Sequence, residues 1–284
     1  MRFWKMNGAG NDFIVLSNWT QELSEERLAE VARIVCRRRQ SIGADGLMVV
    51  EPAQGAADFR MRFFNADGSV GEMCGNGARC ICRYGYENGL AEETMCVETT
   101  AGPVYGSRLN RSLYRVQLNP PTKIDLNRSF RVDGQVYGGA YIELGSPPLP
   151  HAVIPLEHLQ ERDTERLREL GRRLRWHESF PKGANVNFCE RVGNDHIRIR
   201  TFERGVEDLT LACGTGSAST ALALHRMGLV GAERVRLETD GGDLWVDVAE
   251  QADGTTFLYL TGPTCVAAKG EITDDALLEL LSRP

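Results

Sequence analysis

Residues 59–79 read FRMRFFNADGSVGEMCGNGAR, and residues 197–219 read IRIRTFERGVEDLTLACGTGSAS. Arg60 and Arg62 of the first stretch align with Arg198 and Arg200 of the second, Phe64 with Phe202, and Asn65 with Glu203. After one extra residue in the second copy, Cys74-Gly-Asn-Gly-Ala aligns with Cys213-Gly-Thr-Gly-Ser. Chance does not readily give two such matches at a nearly constant offset, so the chain reads as two homologous halves. In each copy, alternating apolar residues (Phe59, Met61 and Phe63; Ile197 and Ile199) mark a half-buried strand. A polar loop follows, then Cys-Gly-x-Gly, then small residues at helical spacing. The first helix carries Ala78, Ile81 and Cys82 and stops near Asn88-Gly89; the second carries Ala218, Ala221, Leu222 and Leu224 and stops near Gly228. Each cysteine is thus expected at a helix N-terminus.

Outside the repeat, Ser24 followed by Glu25 and Glu26 starts an amphipathic helix with Leu28, Val31 and Val35 inward. The stretch from Leu156 to Arg175, rich in both charge signs, reads as a solvated helix. Thr273 is expected to cap a short final helix holding Leu277, Leu278 and Leu281. Gly102-Pro103 and Asn119-Pro120-Pro121 punctuate the chain, and the latter is the expected linker between halves. The fold class is therefore α+β, with two halves at 1–118 and 119–264.

The 284 residues suffice for two domains with separate cores, and 42% apolar with 25% charged residues is a globular composition. A net charge of −6 argues against a nucleic-acid partner, which would favour a basic face. The N-terminal MRFWKMNGAGNDF does not read as a signal peptide, and no apolar run approaches the roughly 18 residues of a membrane span. Eight cysteines in such a chain read as thiols of a reducing compartment, with the cytoplasm expected. The sequence leaves the oligomeric state open; a homodimer is compatible with it.

A thiol at a helix N-terminus faces unpaired backbone amides and the positive end of the helix dipole. Both favour the thiolate, lowering the pKa from its ordinary value of roughly 8.5. The glycines after each cysteine let amides approach an anion closely. Inverting a carbon that bears a proton requires removal from one face and delivery to the other. A thiolate on one side and a thiol on the other do this in either direction, without redox change or cofactor.

Seven segments make the reading specific. Phe3-Trp4-Lys5-Met6-Asn7-Gly8-Ala9-Gly10-Asn11-Asp12-Phe13, Gly43-Ala44-Asp45-Gly46 and Phe64-Asn65-Ala66-Asp67-Gly68 come first. Met73-Cys74-Gly75-Asn76-Gly77-Ala78-Arg79-Cys80, Asn185-Val186-Asn187-Phe188, Glu203-Arg204-Gly205 and Ala212-Cys213-Gly214-Thr215-Gly216 follow. In this order, over nearly the whole chain, they resemble the signatures of the diaminopimelate epimerase family. The resemblance implies two pseudo-symmetric domains, each a mixed sheet wrapped around a central helix, with the active site in the cleft between them. It also implies that 265–284 returns to the first domain. The implied activity is epimerisation of LL- to meso-diaminopimelate, in lysine and peptidoglycan precursor biosynthesis.

Carried over residue by residue, the resemblance makes Cys74 and Cys213 the alternating base and acid. The amides of Gly75, Asn76, Gly214 and Thr215 would hold the carboxylate at the reacting centre. Asn11, Asn65 and Asn185 would hydrogen-bond the substrate, and Glu203 and Arg204 would face an ammonium and a carboxylate. His151 resembles the histidine that partners the first cysteine, with Glu203 assisting the second. One segment departs from the pattern: where the family usually has Gly-Asn-Pro-His, this chain reads Gly145-Ser-Pro-Pro-Leu-Pro-His151. The loop is longer, and Leu149 falls where a substrate-binding Asn is often found.

The remaining candidates read plainly. His158, His177, His196 and His225 are surface or structural, and Cys36, Cys96, Cys189 and Cys265 are small buried hydrophobes. Cys80 and Cys82 point about 200° apart on a helix and do not share a metal. Gly8-Ala-Gly-Asn lacks the following helix of a dinucleotide motif. A pyridoxal cofactor would need one of Lys5, Lys123, Lys182 or Lys269, and the thiol pair makes it unnecessary. Two other functions use the same cysteines: a racemase of proline, histidine or lysine, and a redox-sensing dithiol. The Glu203-Arg204 pair and the asparagines favour a substrate with a second amino-acid head, and a sensor needs neither.

Overall fold

The structure, a computed structural model, describes residues 1–71 and 75–282. The chain divides into two compact units, Met1–Val116 with Gly262–Pro284, and Gln117–Thr261.

In the first unit, strands β1 (Arg2–Gly8) and β2 (Asn11–Ser17) form a hairpin. Helix α1 (Glu25–Val35) leads to β3 (Gly46–Glu51), parallel to β2, and β4 (Phe59–Asn65) turns back antiparallel to β3. Helix α2 (Gly75–Glu87) leads to β5 (Thr94–Thr99), parallel to β4, and β6 (Gly102–Arg108) and β7 (Leu113–Leu118) follow as a meander. Ser24 caps α1 as expected, its side chain accepting from Arg27 N at 3.4 Å, and Leu28, Val31 and Val35 are buried.

The second unit opens with the antiparallel pair β8 (Pro121–Val132) and β9 (Gln135–Leu144) and then repeats the order. Strand β10 (Leu149–Pro155) is antiparallel to β9, helix α3 (Thr164–Arg175) leads to β11 (Asn185–Gly193), parallel to β10, and β12 (His196–Glu203) is antiparallel to β11. A short β13 (Asp208–Thr210) pairs with β12 before helix α4 (Gly214–Arg226). Strand β14 (Val235–Thr239) then runs parallel to β12, and β15 (Gly242–Glu250) and β16 (Thr256–Pro263) close the meander.

The duplication is thus visible as topology: hairpin, helix, parallel strand, antiparallel strand, helix, parallel strand, meander, in both units. It extends to side chains. Arg60 meets Glu98 at 3.5 Å, and Arg198 meets Glu238 at 2.9 Å from the equivalent strands. In each unit the helix after the cysteine is buried nearly all round, from Gly75 to Gly85 in α2 and from Gly216 to Leu224 in α4. A helix without a polar face needs a sheet curled about it, and small residues allow that close approach. Both helices end on a left-handed glycine, Gly89 (φ +68°) and Gly228 (φ +70°). The next amide reaches back in each case, Leu90 N to Gly85 O and Leu229 N to Leu224 O, both at 2.9 Å.

The chain then adds β17 (Cys265–Glu271), antiparallel to β1, and helix α5 (Asp275–Ser282). Leu277 and Leu280 of α5 join a core with Leu28, Val31 and Val35 of α1. Three local expectations change. Asp274, not Thr273, caps α5, its carboxylate accepting from Ala276 N at 3.0 Å and Leu277 N at 3.3 Å. Leu277 and Leu280, three residues apart, share the buried face, and Leu278, next to Leu277, points to solvent. The 156–175 stretch is not one helix: a 3₁₀ turn at Leu159–Glu161 precedes α3, which Asp163 caps by accepting from Arg166 N at 2.9 Å. Cys96 is half-buried on β5, and Cys265 is exposed because β17, whose pairing among the described residues is with β1, shows most of its residues to solvent. Among the described residues no helix is long and apolar enough to cross a membrane.

Candidate active site

Cys213 is the N-cap of α4, with extended backbone (φ −117°, ψ 113°) and a sulfur that accepts from Gly216 N at 3.4 Å. Its Sγ lies 3.5 Å from Thr215 Oγ1, and its carbonyl accepts from Ser217 N at 2.9 Å. The sulfur therefore occupies the place of a capping oxygen, where helix amides favour negative charge. Gly214 is buried and Thr215 half-buried in the same first turn. Burial pushes three other thiols, Cys36, Cys82 and Cys189, up to about 12, so they stay protonated near neutrality.

In the first unit the equivalent cysteine, Cys74, lies outside the described residues, immediately before Gly75, the first residue of α2. The turn that follows it is braced by a chain of side chains. Asn76 is buried and donates through Nδ2 to Asn11 Oδ1 at 2.7 Å; Asn11 Nδ2 donates to Asp45 Oδ2 at 3.1 Å. Beneath the helix, the fully buried Arg79 donates to Asn76 Oδ1 at 2.9 Å and to Gly75 O at 3.2 Å. Asp12 anchors the outer end, bridging Lys5 and Arg38 at 2.6 Å each. Burial alone would raise its carboxyl, but the hydrogen bonds from Arg38 and Lys5 outweigh that and hold it below the ordinary carboxylate value. Asn65 is exposed at the end of β4, where its Nδ2 donates to Ser69 Oγ at 2.9 Å.

The second unit gathers the other predicted residues. His151 on β10 is completely buried beside β11, and Asn185 is its register partner. Asn185 Nδ2 donates to Pro150 O at 3.3 Å while its Oδ1 accepts from Arg204 N at 2.7 Å, which ties the β12–β13 turn to β10. Burial, and after it the Arg204 charge, pushes the His151 imidazole down to about 3, so the ring is neutral. Glu203 is half-buried and accepts from Thr210 Oγ1 at 3.0 Å. Arg204 opens onto a cavity of about 310 Å³ that Lys123, Arg128, Tyr141 and Lys182 also line. Glu143, which accepts from Tyr141 Oη at 2.6 Å, faces the same cavity. Leu149 stands at the head of β10 opposite Leu144, after the four-residue turn 145–148.

Residues without a role in the sequence reading belong to these networks too, Asp12, Arg38, Asp45, Arg79, Asn187 and Thr201 among them. Asn187 is fully buried, and its carboxamide contacts His151, Ala152 and Thr201. The alternation Asn185-x-Asn187 on an otherwise apolar buried strand was the available signal, since a polar group there must be paired. Arg79 carried no signal, because a charged residue at that spacing reads as a solvent-facing one.

The sequence profile described as "Diaminopimelate epimerase" matches residues 3–121 and 146–266. The diaminopimelate epimerase of Aquifex aeolicus is 39% identical over 98% of this chain and 99% of its own length. That of Methanothrix thermoacetophila is 37% identical over 99% of both chains. Among solved structures, a PhzF-family phenazine biosynthesis protein of Bacillus anthracis superposes with a TM-score of 0.72 at 15% identity, over 95% of this chain and 98% of that one. A probable proline racemase of Agrobacterium radiobacter gives 0.68 at 16% identity, over 96% and 93%. At such identities these two share the fold. The profile and the near-full-length relatives carry the assignment: this chain belongs to the diaminopimelate epimerase family.

Proposed function

We propose that the chain epimerises LL-diaminopimelate to meso-diaminopimelate by moving one proton through two thiols, Cys74 and Cys213. The observation that carries this mechanism is the duplicated Cys-Gly-x-Gly, with the Cys213 sulfur capped by the Gly216 amide at 3.4 Å. One thiolate takes the α-proton, breaking C–H and forming S–H, while the opposite thiol gives its proton to the other face. The cysteines have then exchanged protonation states, so the same pair runs the reaction backwards. Amides of Gly75, Asn76, Gly214 and Thr215 hold the carboxylate at the reacting carbon, where negative charge develops. Asn11, Asn65 and Asn185 supply hydrogen bonds, and Glu203 and Arg204 receive the distal ammonium and carboxylate. We assign His151 as the partner of Cys74, and Glu203 as the group that assists Cys213. The enzyme works in the cytoplasm on a free amino acid, with no cofactor.

Purified protein in D2O, offered a panel of amino acids, is the test. Deuterium should enter the α-carbon of diaminopimelate and not those of lysine, proline or histidine. Cys74→Ala and Cys213→Ala should each abolish epimerisation while circular dichroism stays unchanged. Normal turnover by either variant excludes the two-thiol mechanism, and equal exchange into lysine excludes distal-head recognition.

A further inference from the structure

Thr215 stands two residues after Cys213, in the first turn of α4, and its hydroxyl Oγ1 lies 3.5 Å from Cys213 Sγ. A helical threonine can turn its hydroxyl to a carbonyl three or four residues back; here the sulfur is the hydrogen-bond partner of Oγ1 among the described residues. The same sulfur accepts from Gly216 N at 3.4 Å. The two contacts differ in kind. A backbone N–H only donates, whereas a hydroxyl carries one proton and two lone pairs and rotates to suit its partner. Facing a thiolate it donates; facing a thiol it accepts from S–H.

The repeat itself does not require a hydroxyl at this place. Cys74-Gly-Asn-Gly aligns with Cys213-Gly-Thr-Gly, so the residue aligned with Thr215 is Asn76. Its carboxamide belongs to the network of the first unit, donating to Asn11 Oδ1 at 2.7 Å and accepting from Arg79 at 2.9 Å. The second turn carries instead a short β-branched side chain, whose stiff χ1 keeps the hydroxyl near the sulfur. The backbone beneath it is held from behind. A Cβ on Gly216 would stand 2.2 Å from Asn187 Oδ1, so Asn187 packs directly on the turn that Cys213 caps.

We propose that the Thr215 hydroxyl is a catalytic group that follows the proton of Cys213, donating to the sulfur as thiolate and accepting from it as thiol. This rests on the role of Cys213 under Proposed function, and it adds a side-chain role to that of the Thr215 amide. As the thiolate takes the α-proton, C–H breaks and S–H forms. The hydroxyl keeps its own proton and rotates, so that S–H points to an Oγ1 lone pair. Cys213 is only 7% exposed, so water offers the sulfur little replacement for this partner.

Alkylation by iodoacetamide, followed by mass spectrometry of the Cys213 peptide, reads the thiolate as a function of pH. A Cys74→Ala background isolates Cys213 from the second thiol. A hydrogen bond to a charged group moves a pKa by about one to two units, so the alkylation midpoint in Thr215→Val should rise by about that much, with Thr215→Ser within about half a unit of the parent. Glu203, which accepts from Thr210 on the strand entering the turn, and His151, which contacts Asn187 behind it, are the same in every variant, so a difference between variants reads the hydroxyl. With Cys74 present, Thr215→Val should lose about 10- to 100-fold in kcat near neutral pH, because less of the sulfur is thiolate. KM should change little, since the backbone amide remains, and Thr215→Ser should recover most of the rate. A merely structural Thr215 would lower the melting temperature without moving the midpoint. Equal midpoints in Thr215→Val and its parent overturn the proposal, as does a wild-type kcat in Thr215→Val. Wild-type turnover by Cys213→Ala overturns it through the reading it rests on, and leaves the midpoint shift as measured. Should Thr215→Val not fold, Thr215→Ala supplies the same comparison.

Discussion

Gly216 shows how closely the site is packed, because its missing side chain is the space that the Asn187 carboxamide fills. Gly216→Ala would force an overlap between two buried elements, and overpacking of that kind costs about 1–3 kcal/mol. The expected result is a lower urea midpoint together with a reduced kcat, since the displaced amide is the one that caps the Cys213 sulfur. An unchanged midpoint would show that α4 stands off from β11. His151 leaves a mark on stability as well. Its folded value of about 3 lies below the ordinary 6.5, so between those pH values the unfolded chain binds the extra proton. Its contribution is complete above pH 6.5 and declines as pH falls toward 3, by up to about 1.4 kcal/mol per pH unit. Urea midpoints measured from pH 7 to pH 4 should fall less steeply in His151→Phe than in wild type. Parallel curves would mean that the ring is not held neutral.

At the scale of elements, the ends of the helices were the most legible features, because a cap needs only a few adjacent residues. Ser24 begins α1, and the glycines Gly89 and Gly228 end α2 and α4 at the positions their spacing indicates. Gly228→Ala places a Cβ in the left-handed region, which costs about 1–2 kcal/mol. Asp274→Ala removes two hydrogen bonds to the first turn of α5, a loss of typically about 1 kcal/mol. Both variants should melt at lower temperature with kcat unchanged; a wild-type melting curve for Asp274→Ala would show that α5 contributes little to the first unit. The stretch from Leu156 to Arg175 was harder to read. Its charges suit a helix throughout, yet Asp163 accepts the Arg166 amide and starts a new helix there.

At the scale of the whole molecule, the duplication governs the fold. Two units with one topology each carry an Arg-x-Arg strand followed in sequence by Cys-Gly-x-Gly, and in the second unit the cysteine caps α4. The proposed mechanism requires both thiols to reach a single carbon, and thiols that close oxidise to a disulfide. A mild thiol oxidant should therefore abolish activity, dithiothreitol should restore it, and mass spectrometry of the oxidised form should find Cys74 joined to Cys213. Full activity in the crosslinked form would be incompatible with proton transfer by both cysteines. The departures from symmetry are equally informative. Phe13, Met48 and Phe63 fill with apolar bulk what His151, Asn187 and Thr201 fill with hydrogen bonds, so the shared topology accepts either kind of core.

The sequence by itself determined the duplication, the strands that alternate, the helix caps and the location of Cys213 at the start of α4. Each is a local property, set by the period of a few residues or by a cap reaching two or three positions along the chain. Tertiary structure alone decided which polar side chains meet. Asn187 joins His151, 36 residues away, because β10 and β11 run parallel in one register. Asn11 links Asp45 to Asn76 because the turn after β1, the approach to β3 and the start of α2 converge. Cys265 is exposed because its strand lies beyond β1 with no further neighbour among the described residues, a matter of strand order that its own composition does not record. A one-residue slip in any of these registers would turn every side chain to the opposite face, and the forces that prevent it act between segments far apart in the chain.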